Sequence, residues 1–323
     1  MNRMRLDLKD RKILYELDFN ARQTDSEIAK KVKLKRDSVS YRINRLKRNN
    51  IIKNFVTILN HNALGYLAFR IFFKFRDLSP DKEEEIVNFL KNKVAWLVKV
   101  RGNWSFNCMI FTKNIFALES LINELKEKFQ ENIIDIDFSL ITRIYHYRRG
   151  YLLNLKKDLS KAEIMGEITH KIELDETDLK ILGVIQNEAR LSSIEIANKI
   201  NKSERVVRYR LNNLIKNKVI LGFRSLLNLE KLSYSYFKLH FKLRNFNKNT
   251  LKKIDDYSHL HPNIIYKTET IGGPDLELEI QVPSNKELYK FIDNFMKEFE
   301  GNIDDYEILE YDKEYKLSYL NYV

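Results

Sequence analysis

The chain has 323 residues, with 57 Lys plus Arg against 45 Asp plus Glu, for a formal net charge of +12. At 44% hydrophobic and 32% charged, with 9 Gly and 4 Pro, it reads as a globular chain long enough for two or more cored domains, and it is not low-complexity. A single cysteine, Cys108, excludes a disulfide framework and a Cys-based zinc site and fits a reducing, cytoplasmic setting. No run approaches the ~18 apolar residues of a membrane span, and the start MNRMRLDLKD lacks the apolar stretch of a signal peptide, so no membrane association is expected.

In chain order, Ile13, Leu14 and Leu17 recur at helical spacing and predict a first helix. Thr24-Asp25-Ser26-Glu27 is a capping box, the hydroxyl satisfying one orphan N–H and the Glu another, and it opens a second helix carrying Ile28, Ala29 and Val32. After a short turn, Val39, Ile43 and Leu46 form the buried stripe of a third helix, and residues 51–59 read as a strand of a small hairpin. Residues 66–75 form an aromatic-rich strand. Ser79-Pro80 then starts a helix to about residue 92, Ser supplying the cap and Pro the first turn. Residues 94–101 and 104–111 are strands about a glycine turn, 115–129 an amphipathic helix and 133–141 a last strand. The order βαββαβ is the ferredoxin-like split unit. Tyr145-His146-Tyr147-Arg148-Arg149 reads as a polar strand edge. Residues 154–172 fit neither pattern and read as a linker, with Ser160 and Glu163 capping a short helix.

The chain then repeats itself. Shifted by 168, residues 6–66 match residues 174–234 without a gap, with 24 identities in 61 positions. Ser192-Ser193-Ile194-Glu195 repeats the capping box, and Val207, Leu211 and Leu214 repeat the third-helix stripe. The expected fold is α+β: two tandem copies of a winged helix-turn-helix followed by a ferredoxin-like βαββαβ domain. The domains fall at 1–60, 61–152, 173–230 and 231–323, with 153–172 as linker.

Chemistry concentrates on the third helices. Opposite the buried stripe, or on its flanks, copy one places Lys35, Arg36, Ser38, Ser40, Tyr41, Arg45 and Arg48. Arg42 lies nearer the buried edge, where its head can reach a phosphate. Copy two places Ser203, Arg205, Arg208, Tyr209, Arg210, Asn213 and Lys216 on the matching surface. Arg suits guanine, Asn suits adenine, and Lys or early backbone N–H groups suit phosphate. A solvated charged face explains most Lys/Arg runs. Its recurrence at the same helix of both copies favours double-stranded DNA as the partner.

These motifs, LDLKDRKIL, NARQTDSEIA and SVSYRINRLKRNNIIKNF with their second-copy counterparts, resemble the DNA-binding domain of the Lrp/AsnC (feast/famine) regulators. The βαββαβ part resembles that family's sensing and assembly domain. The resemblance implies a transcription regulator whose sensing domains pair through their sheets, and many members respond to amino acids. A tandem chain implies a covalent pseudo-dimer that pairs further with a second chain. The family's Gly-x-x-Asp effector turn is kept as Gly272-Gly273-Pro274-Asp275, whereas copy one reads Gly102-Asn103-Trp104-Ser105. An amino-acid effector is therefore expected at Asp275 and not at Ser105; a plain β-turn explains both glycines equally well.

No catalytic residue, cofactor or metal site is expected. His259 and His261 lack nearby ligands, Cys108 reads as a packed thiol, and Gly272-Gly273 lacks the following Lys-Ser/Thr of a phosphate loop. Two other readings share the architecture or the charge. Sirohaem decarboxylases resemble the same two-domain plan but need convergent His and Arg acids, and an architectural DNA-coating protein would bind with little sequence preference. The charge favours heads over sheets: residues 1–60 hold 16 basic and 7 acidic residues, and residues 231–323 hold 13 and 16. The two recognition helices also differ, Arg36-Asp37 standing where the second copy has Glu204-Arg205, so one chain is expected to read an asymmetric site.

Overall fold

The computed structural model describes residues 5–18, 20–166, 172–245 and 247–318. Copy one runs α1 (Leu8–Leu17), α2 (Asp25–Val32), α3 (Arg36–Arg48), β1 (Ile52–Leu59), β2 (Leu67–Phe75), α4 (Pro80–Lys91), β3 (Trp96–Arg101), β4 (Phe106–Thr112), α5 (Ile115–Phe129) and β5 (Ile133–His146). After β6 (Glu163–Met165), copy two runs α6 (Glu176–Ile185), α7 (Ser193–Ile200), α8 (Glu204–Lys216), β7 (Ile220–Leu227) and α9 (Leu229–Leu232). It continues with β8 (Ser235–Leu243), α10 (Lys248–Leu260), β9 (Ile264–Ile271), β10 (Leu276–Val282), α11 (Asn285–Glu298) and β11 (Ile303–Leu317). Both predicted capping boxes form, Thr24 bonding Glu27 and Ser192 bonding Glu195, and Ser79 caps α4 with Pro80 in its first turn. The α2 and α7 helices end in left-handed Lys33 and Asn201, which turn the chain into the third helix.

The strands of the two copies close on each other. Hydrogen bonding runs β2-β4-β3-β11-β8-β10-β9-β5 and returns from β5 to β2, an eight-stranded ring in which the short β6 adds to the end of β5. Each last strand serves both sheets. The first part of β5 pairs with β2 and its end with β9; β11 pairs first with β8 and then with β3. The outer faces pack under helices: Phe69, Ile71 and Phe73 join Ile86, Leu90, Leu121 and Leu125 in copy one, and Leu239, Phe241, Leu288 and Phe295 cluster in copy two. The inner face of copy one is largely apolar, with Ala68, Trp96, Val98, Val100, Met109 and Phe111. Because helices cover one face and the partner copy the other, β2 and β4 are buried nearly throughout and show no hydrophobic alternation.

Three expectations change. The strand after the third helix has no hairpin partner in its own copy; β1 pairs antiparallel with β7, joining the two heads. The segment with Ser160 and Glu163 forms no helix, because residues 163–165 are drawn into a strand on β5. Residues 145–149 are no exposed edge. β5 continues to His146, and His146, Tyr147 and Arg149 are buried where copy one crosses onto copy two.

Candidate nucleic-acid interface

Each head is a three-helix unit whose stripes meet as expected: Ile13, Leu14, Ile28, Val39 and Ile43 with their counterparts Ile181, Leu182, Ile196, Val207 and Leu211 form one continuous cluster. The heads are fastened by exchanged contacts. Arg22 donates to the Ala189 carbonyl at 2.7 Å and Arg190 to the Ala21 carbonyl at 2.7 Å, with Arg22 over the Phe223 ring and Arg190 over Phe55. Burial and, for Arg22, the facing Arg190 guanidinium lower both arginines' pKa values. Ala21-Arg22 and Ala189-Arg190 are identical at matching positions without fitting a helical stripe. That coincidence was the available signal for this clasp.

The recognition surface divides into free and tethered cations. Lys35 and Arg36 at the start of α3, Tyr41, Arg48, Arg205, Tyr209 and Lys216 are exposed, and Ser38, Ser40 and Asn213 are half-buried beside them. Ser203 caps α8 by accepting from the Val206 N–H, and Arg208 pairs with Glu204 within its own helix. Arg42, Arg45 and Arg210 depart from the expectation of heads facing DNA. Arg42 reaches Asp7 at 2.8 Å and Asp10 at 2.7 Å, Arg45 reaches Asp10 at 2.7 Å, and Arg210 reaches Asp175 at 2.7 Å and Asp178 at 3.3 Å. Those carboxylates cap α1 and α6 and are drawn to the helix N-termini, so the arginines fix the third helix against the first. Sequence spacing could not show this, because the partners lie 32 or more residues away.

The two glycine turns meet at one mouth of the ring. Asn103 and Trp104 line the same pocket as Gly273, Pro274 and Asp275, together with Asp137, His240 and Glu307. Asp275 accepts the Leu243 N–H at 2.8 Å, and Ser105 accepts the equivalent Phe75 N–H at 3.0 Å. Both side chains therefore anchor the end of a neighbouring strand, and residues of both turns line one shared mouth. Gly102 has φ +135° and a Cβ there would lie 2.7 Å from the Ile308 carbonyl; Gly272 has φ +76° and a Cβ there would sit 3.6 Å from the Phe138 carbonyl, an ordinary contact.

Two buried polar groups escaped the sequence reading. Inside the ring, Arg70 and Lys238 face Glu277 and Glu279; Lys238 lies 3.2 Å from Glu279, and Arg70 lies 3.6 Å from Glu279 and 3.9 Å from Glu277. Burial alone would raise the Glu277 pKa, but Lys238 and Arg70 hold it down to about 2. Between ring and heads, Asp18 is fully buried and accepts from the Arg149 N–H at 2.8 Å, the Arg149 guanidinium, and Arg224 Nε at 3.0 Å. The pair of arginines outweighs burial and lowers its pKa. Next to it, His146 is pushed down to about 3 by burial and by Arg224, and both its ring nitrogens lack a partner. Cys108 is buried with its pKa raised by burial, and His259 Nε2 lies 2.7 Å from the Ser160 carbonyl. Among the described residues no helix is long and apolar enough to cross a membrane, and no group of His, Cys, Asp and Glu is arranged to hold a metal.

Residues 6–53 and 174–220 each match the winged helix-turn-helix DNA-binding family. An HTH-type transcriptional regulator of Pyrococcus horikoshii is 31% identical over 133 residues, covering 41% of this chain and 83% of that protein. The HTH-type transcriptional regulator Ptr1 of Methanocaldococcus jannaschii is 31% identical over 121 residues, covering 37% of this chain and 80% of that protein. The crystal structure of the sirohaem decarboxylase NirDL superposes with a TM-score of 0.63 at 15% identity, over 97% of this chain and 94% of that one, a likeness of fold. With two matched DNA-binding heads, and with relatives covered over four-fifths of their length by about one copy, the chain belongs to the Lrp/AsnC family of helix-turn-helix transcriptional regulators in a tandem form.

Proposed function

We propose that the chain acts as a covalent pseudo-dimer that reads an asymmetric DNA site with two unlike heads. The observation carrying this is the pairing of β1 with β7, which joins α3 and α8 in one unit while their exposed faces differ. On α3, Lys35 and Arg36 stand free at the helix start. On α8 the equivalent region holds Glu204 paired with Arg208. The first head supplies more phosphate attraction, and Tyr41, Arg48, Tyr209, Arg205 and Lys216 are the exposed groups positioned for base or backbone contacts. Selection of bound fragments from random DNA, followed by footprinting of one isolated chain, tests this. An asymmetric motif with half-sites a helical turn or a multiple of it apart is expected; a perfect palindrome protected by one chain would overturn it.

The shared mouth beside Asp275 is the proposed place for an amino-acid effector, its amino group near Asp275, Asp137 and Glu307. Calorimetry with amino acids on the full chain and on Asp275→Ala tests this, and unchanged binding in the variant rules it out. Pairing of two such chains belongs to the same proposal. The regulator reading is preferred to tetrapyrrole decarboxylation, although the ring does bring His146 and Arg149 to one cavity. The cavity there has a volume of about 110 Å³, the scale of a small molecule. A tetrapyrrole absorbance band in the purified protein would reverse that preference. Binding that depends on salt but not on sequence would instead favour a DNA-coating role.

A further inference from the structure

The ring is sealed in the middle by Arg70, Lys238, Glu277 and Glu279, and a cavity of about 110 Å³ lies on the side facing the heads. Its size approaches the ~150 Å³ of cavities that accept one aromatic ring, and it leaves room for several waters. Trp96, Met109, Met165 and Leu226 give it apolar walls.

Its polar groups are unevenly satisfied. Of the two acids in the wall, Glu279 already takes the Tyr236 hydroxyl and Lys238, and Glu314 accepts the Trp96 Nε1–H at 3.0 Å while burial raises its pKa. The basic side is left with an excess. Arg149, in the wall, and Arg224, adjoining it over the Tyr266 ring, share one carboxylate, that of Asp18. Arg224 Nη1 has no partner. His146, in the wall and 4% exposed, has none at either ring nitrogen. Buried donors without a partner are costly, and here two guanidinium groups share a single carboxylate, so an acceptor carrying negative charge is what the site lacks.

We propose that this cavity binds a small organic carboxylate with an apolar or aromatic body, its carboxylate taking the His146 N–H and the field of Arg149 and Arg224, its body lying against Trp96, Met109, Met165 and Leu226. The site is distinct from the mouth that holds the two glycine turns, since no residue lines both. Its occupant would touch Arg149, which also bonds Gln281 and Asp18, the latter being the residue that ends α1 of the first head.

The chain has two tryptophans, so Trp104→Phe leaves Trp96, in the cavity wall, as the reporter. That protein is titrated with phenylacetate, phenylacetamide and benzylamine while tryptophan fluorescence is followed. Saturable quenching by phenylacetate, about tenfold or more weaker for the amide and absent for the amine, is expected from loss of a charge-assisted hydrogen bond. His146→Phe should weaken phenylacetate by a similar factor, and Leu226→Trp, read by thermal upshift in place of fluorescence, should block it by filling the space. The proposal is overturned if phenylacetate gives no saturable change up to about 10 mM, if the amide binds as well as the acid, or if Leu226→Trp binds it unchanged. Should His146→Phe fail to fold, the acid–amide comparison on the Trp104→Phe chain decides alone.

Discussion

Replacing Asp18 with Asn tests whether the junction between heads and ring rests on one buried charge. Asp18 is 0% exposed and receives two donors from Arg149 and two from Arg224, the latter at 3.0 and 3.3 Å. Asn keeps one acceptor oxygen, turns an NH₂ toward guanidinium donors and leaves two arginines buried beside no carboxylate. Removing one member of a buried ion cluster costs about 3–5 kcal/mol. With a urea m-value of roughly 3 kcal/mol/M, the unfolding midpoint should fall by about 1 M or more at pH 7. Arg224→Met on the Asp18→Asn background should restore part of the loss, a coupling of about 2 kcal/mol, because it removes the orphaned charge. The pH dependence has a fixed sign. A carboxyl whose pKa is lowered on folding stabilises the protein above its unfolded value near ~3.9 and loses that contribution as pH falls through the lower folded value. The Asn variant should therefore lose the steepest part of the acid-side decline. A midpoint shift below about 0.3 M, with strictly additive double mutants, would refute the hub argument.

Other consequences can be measured independently. Neutralising Lys35 and Arg36 should flatten the salt dependence of DNA binding more than neutralising Lys202 and Arg205, by up to about one unit of log–log slope per lost phosphate contact; equal slopes would contradict the bias between heads. Asp10→Ala should destabilise the protein more than Asp178→Ala in urea unfolding, since Asp10 holds two arginines at 2.7 Å and Asp178 holds one at 3.3 Å. Thr24→Ala and Ser192→Ala should each cost about 1 kcal/mol by loss of a capping box, and a value near zero in either would show that the cap is redundant there. Gly102→Ala should be worse tolerated than Gly272→Ala: both need positive φ, but only at Gly102 does the new Cβ meet a backbone carbonyl at 2.7 Å.

The sequence alone determined what local chemistry controls. Helix starts were written in Thr24, Ser79 and Ser192 because a cap acts within three residues, and the buried stripes of α3 and α8 because a helix repeats every 3.6. The duplication, and with it the domain order, followed from self-similarity. The exposure of Lys35, Arg36 and Arg205 at the third helices could be placed for the same reason. What the tertiary structure decided is everything in which one copy completes the other. A strand's partner depends on which edge is near, so β1 found β7 in place of a hairpin, and β5 and β11 each extended onto the other sheet. A run such as Tyr145–Arg149 looks polar along the chain, yet it is buried because Asp18 and Arg224, more than 70 residues away, converge on it. The same logic tied Arg42 and Arg45 to Asp10, and set the apolar inner face of one copy against the charged inner face of its twin. Two related sequences thus become unequal halves of one molecule, because burial and charge pairing act between copies where periodicity cannot reach.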